Sequence, residues 1–150
     1  MAGIGNNVIA QVALVVRDIE ATARAYADVF DVDVPAIRET ESADETNIRY
    51  RGEATPARAK LAFFEMGTVS LELIEPIGGP STWQEHLDAH GEGIHHIAFQ
   101  VKDTDQVVAR LEGKGCSLVQ TGEYPGGRYA YVDATDRLKL VLELLENTAQ

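Results

Sequence analysis

Gln11-Val-Ala-Leu-Val-Val-Arg-Asp18 and His96-Ile-Ala-Phe-Gln-Val-Lys-Asp103 are one phrase written twice, 85 positions apart. Each reads as a strand that runs into an aspartate able to cap a following helix. A second pair of matches lies further along. Leu71-Glu-Leu-Ile-Glu75 corresponds to Leu142-Glu-Leu-Leu-Glu146 at an offset of 71, and Lys60-Leu-Ala-Phe-Phe-Glu65 to Arg128-Tyr-Ala-Tyr-Val-Asp133. The smaller offset means that the first copy carries a longer connection, supplied by the stretch around residues 39 to 58. The chain is therefore an internal duplication, each half built as strand, helix and three strands.

Local signals agree with this plan. After Asp18 the apolar positions Ile19, Ala23, Tyr26, Ala27 and Phe30 follow a helical stripe. Asp103 has Gln106 at the capping-box position, and Gly113-Lys-Gly115 stops that helix. Between the copies, Ser81-Thr-Trp-Gln84 predicts a short helix reaching about Ala89, closed by Gly91-Glu-Gly93. Glu65-Met-Gly-Thr68 reads as a turn between antiparallel strands. The expected fold is α+β with helices on one face of each sheet. We divide a single domain, 1–150, into a first module at about 9–76, a linker helix at about 80–92 and a second module at about 94–147. Neither half can close its own curved sheet, so the two are expected to pack side by side.

Strand parity shows where chemistry can sit. Val12, Leu14 and Val16 share the helix-facing side of the first strand, which leaves Gln11 and Ala13 on the other. Ile97, Phe99 and Val101 face the second helix, which leaves His96, Ala98 and Gln100 opposite. Glu72 and Glu143 are out of phase with the leucines on either side of them. Each half thus places two polar groups on its concave face, Gln11 with Glu72 and His96 with Glu143. A carboxylate buried without a partner costs several kcal/mol. Either Lys60 and Arg128 on neighbouring strands neutralise the two glutamates, or one divalent cation does so with the imidazole and the amide oxygen. Such an oxygen-rich set suits Zn, Co, Ni, Mn or Mg.

Composition narrows the partners. Of the 150 residues 45% are apolar and 25% charged, an ordinary globular balance. The formal net charge of −11, without any Lys/Arg run, disfavours nucleic acid and anionic membranes and leaves a small-molecule substrate. No apolar stretch is long enough to span a bilayer, and the first residues lack the marks of a signal peptide. With Cys116 as the single cysteine there is no internal disulfide, which suits a cytoplasmic protein. The acidic stretch Glu39 to Glu45 reads as a solvated loop with no assigned role.

From Gln11 to Glu146 the chain resembles the vicinal oxygen chelate (glyoxalase/bleomycin resistance) superfamily, in which paired βαβββ modules form a curved mixed sheet around a metal. LAFFEMGTVSLELIEPIGG (61–79) and HGEGIHHIAFQVKD (90–103) look especially like methylmalonyl-CoA epimerase. Carried across position by position, the family's metal ligands fall on Gln11, Glu72, His96 and Glu143, a set similar to that of animal-type glyoxalase I. The epimerase's second catalytic carboxylate has no match within residues 49–60. Arg51, Arg58 and Arg128 are candidates for anion binding by charge alone.

The resemblance implies a homodimeric, divalent-metal-dependent isomerase, epimerase or glyoxalase I-type lyase. It would act on an enolisable carbonyl compound through a metal-stabilised enolate, with Glu143 as the base and Glu72 as the alternative. A metal-free ligand-sequestering protein of the bleomycin-resistance type is the competing reading, with Phe63, Phe64, Tyr129 and Tyr131 to line a groove. An extradiol dioxygenase is a third, disfavoured because His96 alone stands at a ligand position. His95 is expected to face away from the site, and Trp83 to anchor the short helix by packing.

Overall fold

A computed structural model describes residues 3–148. Along the chain run β1 (Gln11–Val15), α1 (Ile19–Phe30), β2 (Arg38–Glu39), α2 (Ala43–Thr46), β3 (Arg49–Tyr50), β4 (Glu53–Ala54), β5 (Arg58–Met66) and β6 (Val69–Ile77). After them come α3 (Thr82–His90), β7 (Gly93–Gln100), α4 (Thr104–Glu112), β8 (Ser117–Tyr124), β9 (Gly127–Asp133), α5 (Thr135–Leu138) and β10 (Val141–Asn147). The ten strands make one mixed, curved sheet in the order β2-β5-β6-β1-β7-β10-β9-β8-β3-β4. This is the glyoxalase-like arrangement of two βαβββ modules. Within each module the first strand lies parallel to the last, β1 to β6 and β7 to β10, and the modules join through the antiparallel β1–β7 pair.

Equivalent devices tie each helix to its sheet. Asp18 Oδ1 accepts the Ala21 amide at 3.1 Å, and Asp103 Oδ1 accepts the Gln106 amide at 3.1 Å. The reciprocal half of a capping box is not made, because the Gln106 side chain bonds Arg110 instead. The last glutamate of each repeated strand closes the first turn from the other side. Glu75 accepts the Ile19 amide at 2.9 Å, and Glu146 accepts the Thr104 amide at 2.8 Å. Two helix-side cores follow from parity. Val16, Ile19, Ala23, Ala27, Phe64 and Leu73 pack under α1, and Phe99, Val107, Val108, Leu111, Leu142 and Leu144 under α4. Each such Val, Leu, Ile or Phe side chain contributes roughly 1.5–3 kcal/mol when fully buried. A third cluster, with Val15, Ile48, Leu61, Ile74, Trp83 and Tyr131, lies on the concave side.

The connection after α1 keeps Glu39, Ser42, Asp44 and Glu45 exposed, in keeping with a solvated acidic stretch, but it folds part of that stretch into β2 and α2 and then crosses the open side of the sheet. Its β3–β4 hairpin pairs with β8 of the other module, Arg49 opposite Thr121 and Tyr50 opposite Gln120. Ile48 and Thr46 are buried beneath it. Both buried residues lie just beyond the acidic stretch Glu39 to Glu45. Among the described residues no helix is long and apolar enough to cross a membrane, and Cys116 is free and buried.

Candidate functional site

The sheet register brings the four polar residues together in two rows across the module junction. One row runs Gln11, Ala98, Glu143, Tyr131, and the other Phe63, Glu72, Ala13, His96. Ala13 and Ala98 are fully buried between the larger groups. On this side of the sheet lies a cavity of about 300 Å³. Gln11, Glu72 and Glu143 line its floor, with His96 buried beneath. Leu61, Phe63, Trp83, Tyr129, Tyr131 and Leu145 wall it. Thr40, Glu41, Thr46 and Ile48 reach it from the crossing connection, and Arg38 from β2.

Glu72, His96 and Glu143 each offer a ligand atom, all within 4.8 Å of one another. His96 Nε2 lies 3.1 Å from Glu143 Oε1 and 3.6 Å from Glu72 Oε1. These contacts do not neutralise the carboxylates, because burial holds the His96 imidazole down to about 3 and therefore uncharged. Nor do the cations considered from sequence. Lys60 pairs with Glu75 at 3.7 Å and Arg128 with Glu146 at 3.0 Å, at the helix-facing ends of the same strands. Burial accordingly pushes the Glu143 carboxyl up to about 8, with the Tyr131 hydroxyl acting downward. Glu72 is raised well above the carboxylate range, first by burial and then by the charge of Glu143, while Arg38 acts the other way.

Two further features fit a cation here. His96 Nε2 and Glu143 Oε1 are buried without any hydrogen-bond partner. Bonds of about 2.1 Å to one ion place neighbouring ligand atoms about 3.0–3.4 Å apart, and the observed 3.1 and 3.6 Å fall close to that range. Glu72, His96 and Glu143, two carboxylates and a neutral imidazole at the floor of an apolar-walled cavity, form a group that could hold a divalent metal ion, with the Gln11 amide on the same floor.

His95 corrects the sequence reading. Strict alternation sends it to the helix face, but a bulge lies here: Ala13 pairs with His96 and Leu14 with Ile94, so His95 is the extra residue. Its ring turns inward, against Tyr131 at 5.2 Å between centroids, and its Nδ1 meets His96 Nδ1 at 2.8 Å. One proton serves both nitrogens. When His96 carries it, His96 Nε2 keeps its lone pair and points at the two glutamates. Trp83 anchors α3 as expected, donating from Nε1 to the Tyr131 hydroxyl at 3.0 Å. Of the four aromatics considered for a groove, Phe63, Tyr129 and Tyr131 line the cavity, whereas Phe64 packs under α1. Arg51 and Arg58 are committed elsewhere, to Glu85 and to the Thr40 carbonyl. Arg38 is the cavity's cation. Sequence reasoning passed over it, because only the pairing of the two-residue β2 with β5 brings it there.

A family model described as Glyoxalase/Bleomycin resistance protein/Dioxygenase superfamily matches residues 10–132. The chain belongs to this superfamily. Among curated superfamily relatives, an uncharacterised protein of Bacillus subtilis, YqjC, is 30% identical over 59% of this chain and 66% of its own length. The chain thus spans just under two thirds of that protein. The ethylmalonyl-CoA/methylmalonyl-CoA epimerase of Cereibacter sphaeroides is 27% identical over 75% of this chain and 74% of its own. Among solved structures, the methylmalonyl-CoA epimerase of Mycobacterium tuberculosis superposes with a TM-score of 0.64. It is 22% identical and covers 93% of this chain and 87% of its own. A Streptomyces coelicolor methylmalonyl-CoA epimerase variant in complex with 2-nitronate-propionyl-CoA gives 0.64 at 21% identity, covering 95% and 99%. At these identities the solved structures speak for the fold.

Proposed function

We propose that this superfamily member is a divalent-metal-dependent epimerase, isomerase or lyase that removes a proton from carbon adjacent to a carbonyl group. Gln11, Glu72, His96 and Glu143 are the proposed metal ligands and Glu143 the base. The observation that carries the proposal is the buried pair of carboxylates, with raised proton affinity and no cationic side chain paired to them, on the floor of a cavity of ligand size. A bound divalent ion supplies Lewis-acid stabilisation of the charge that develops on the substrate carbonyl oxygen.

The remaining work falls to the chain's own residues. Phe63, Tyr129 and Tyr131 hold the substrate's apolar part and exclude water. Glu143 Oε1, buried and unpartnered, is placed to take the α-proton and return it to the opposite face or a neighbouring atom. Glu72, at the matching position of the other module and on the same floor, is the alternative base. His95 holds the His96 proton on Nδ1 and so keeps Nε2 directed at the site.

The test is α-proton exchange in D₂O across short acyl-CoAs and hemithioacetals, with metal content measured on the same samples. Metal-loaded wild type exchanges the proton. Glu143→Gln, folded and loaded, loses about 10²–10⁴-fold in rate, and a variant as fast as wild type refutes the assignment of the base. The aromatic wall also fits metal-free sequestration of an apolar ligand. Protein that takes up no stoichiometric metal yet retains such a ligand decides for that second reading.

A further inference from the structure

The charge pattern of the cavity restricts what can enter it. Four carboxylates line it, Glu41, Glu72, Glu123 and Glu143, against one guanidinium, Arg38. A divalent ion cancels the two on the floor. The mouth then carries Glu41 and Glu123 against Arg38, a net charge of −1 before any ligand arrives. Arg51, Arg58 and Arg128 are held in ion pairs with Glu85, Glu39 and Glu146. Among the described residues Arg38 makes no ion pair, and it lines the same cavity as Glu72. An unpaired guanidinium beside the reacting floor, opposite an apolar wall, is a fork for one carboxylate. It is not a bed for a diphosphate, and the two glutamates at the mouth repel one. At about 300 Å³ the cavity is also at the small end of ligand sites, which span about 300–1,000 Å³.

We propose that the site takes a small enolisable carbonyl compound bearing a single carboxylate, with the carboxylate paired to Arg38 and the apolar body against Leu61 and Phe63, and that a nucleotide handle adds nothing to its recognition. This rests on the reading of the floor as a proton-abstraction site and names its substrate class. The known epimerases of similar fold are named for CoA thioesters, so the two cases separate cleanly.

The experiment uses a matched pair of probes, the methylmalonyl thioesters of CoA and of pantetheine, titrated calorimetrically into metal-loaded protein. They share the acyl group and carboxylate and differ in the nucleotide. Wild type is expected to bind the two within tenfold of one another. Arg38→Gln, at an exposed position on an edge strand, is expected to weaken both by at least tenfold while leaving the carboxyl methyl ester of the shorter probe unchanged. A CoA preference above tenfold, no binding of either thioester, or affinities indifferent to Arg38→Gln overturns the proposal. Because these are binding readouts, the two ideas fail separately. Binding in the expected order without α-proton exchange sinks the base and leaves the ligand class standing, whereas exchange that requires the CoA ester does the reverse.

Discussion

Metal-free protein will lose stability as pH rises through the neutral range, and the amount follows from the floor of the cavity. The Glu143 carboxyl is held at about 8 in the folded chain against an ordinary value of 4.5. Below pH 4.5 both folded and unfolded chains keep the proton. Between 4.5 and 8 the unfolded chain releases it and the folded one does not, so stability falls by about 1.4 kcal/mol per pH unit. His96 works in the opposite sense. Its imidazole is held to about 3, so stability is lost as pH falls below its ordinary 6.5, when the unfolded chain takes up a proton the folded one refuses. The two slopes cancel from 4.5 to 6.5. Above 6.5 the carboxyl acts without opposition.

From pH 6.5 to 8.5 the net loss is about 2 kcal/mol, or roughly 4–8 °C in Tm for a chain of this size. Glu72, raised as well, adds to it. The assay is thermal unfolding by circular dichroism in excess chelator at the two pH values, for wild type and Glu143→Gln. Wild type drops and the variant drops less. Saturating divalent metal stabilises more at pH 8.5 than at 6.5, because binding must first displace the Glu143 proton. A chelated wild type equally stable at both values, or a variant with an undiminished drop, refutes the electrostatic account.

Two other changes probe the surroundings. His95→Phe keeps the ring but removes the Nδ1 acceptor at 2.8 Å from His96, and metal affinity is expected to fall about 10–100-fold in competition with a chromophoric chelator; unaltered affinity rules out the tautomer-setting role. In Gly122→Ala the new methyl meets the Tyr129 ring at 2.6–2.7 Å. The displaced ring gives up its hydrogen bond from the buried Gln120, so a loss of about 1–3 kcal/mol in denaturant unfolding is expected, and a melt identical to wild type excludes it.

Much of the site was legible because the chain is duplicated. The offset repeats aligned Glu72 with Glu143 and Gln11 with His96, and strand parity turned all four to one side without knowledge of the fold. Three things were hidden, each for a physical reason. Alternation cannot foresee a bulge, so His95 was sent to the wrong face. Whether Lys60 and Arg128 meet the inner or the outer glutamates depends on side-chain direction and on the backbone amides of α1 and α4, which recruit Glu75 and Glu146 to the outer face. Arg38 and Ile48 reach the cavity through pairings between distant segments, which no local window of sequence displays.

The hairpin that pairs with β8 has a bearing on how the molecule is made. Arg49 must wait for Thr121, which leaves the ribosome roughly 4–14 s later at about 5–20 residues per second. Within that interval Glu72 and then His96 are added, whereas Glu143 follows Thr121. Closure of the hairpin onto β8 and completion of the proposed ligand set therefore both follow synthesis of the second module, and a truncated translation product ending before β7 achieves neither.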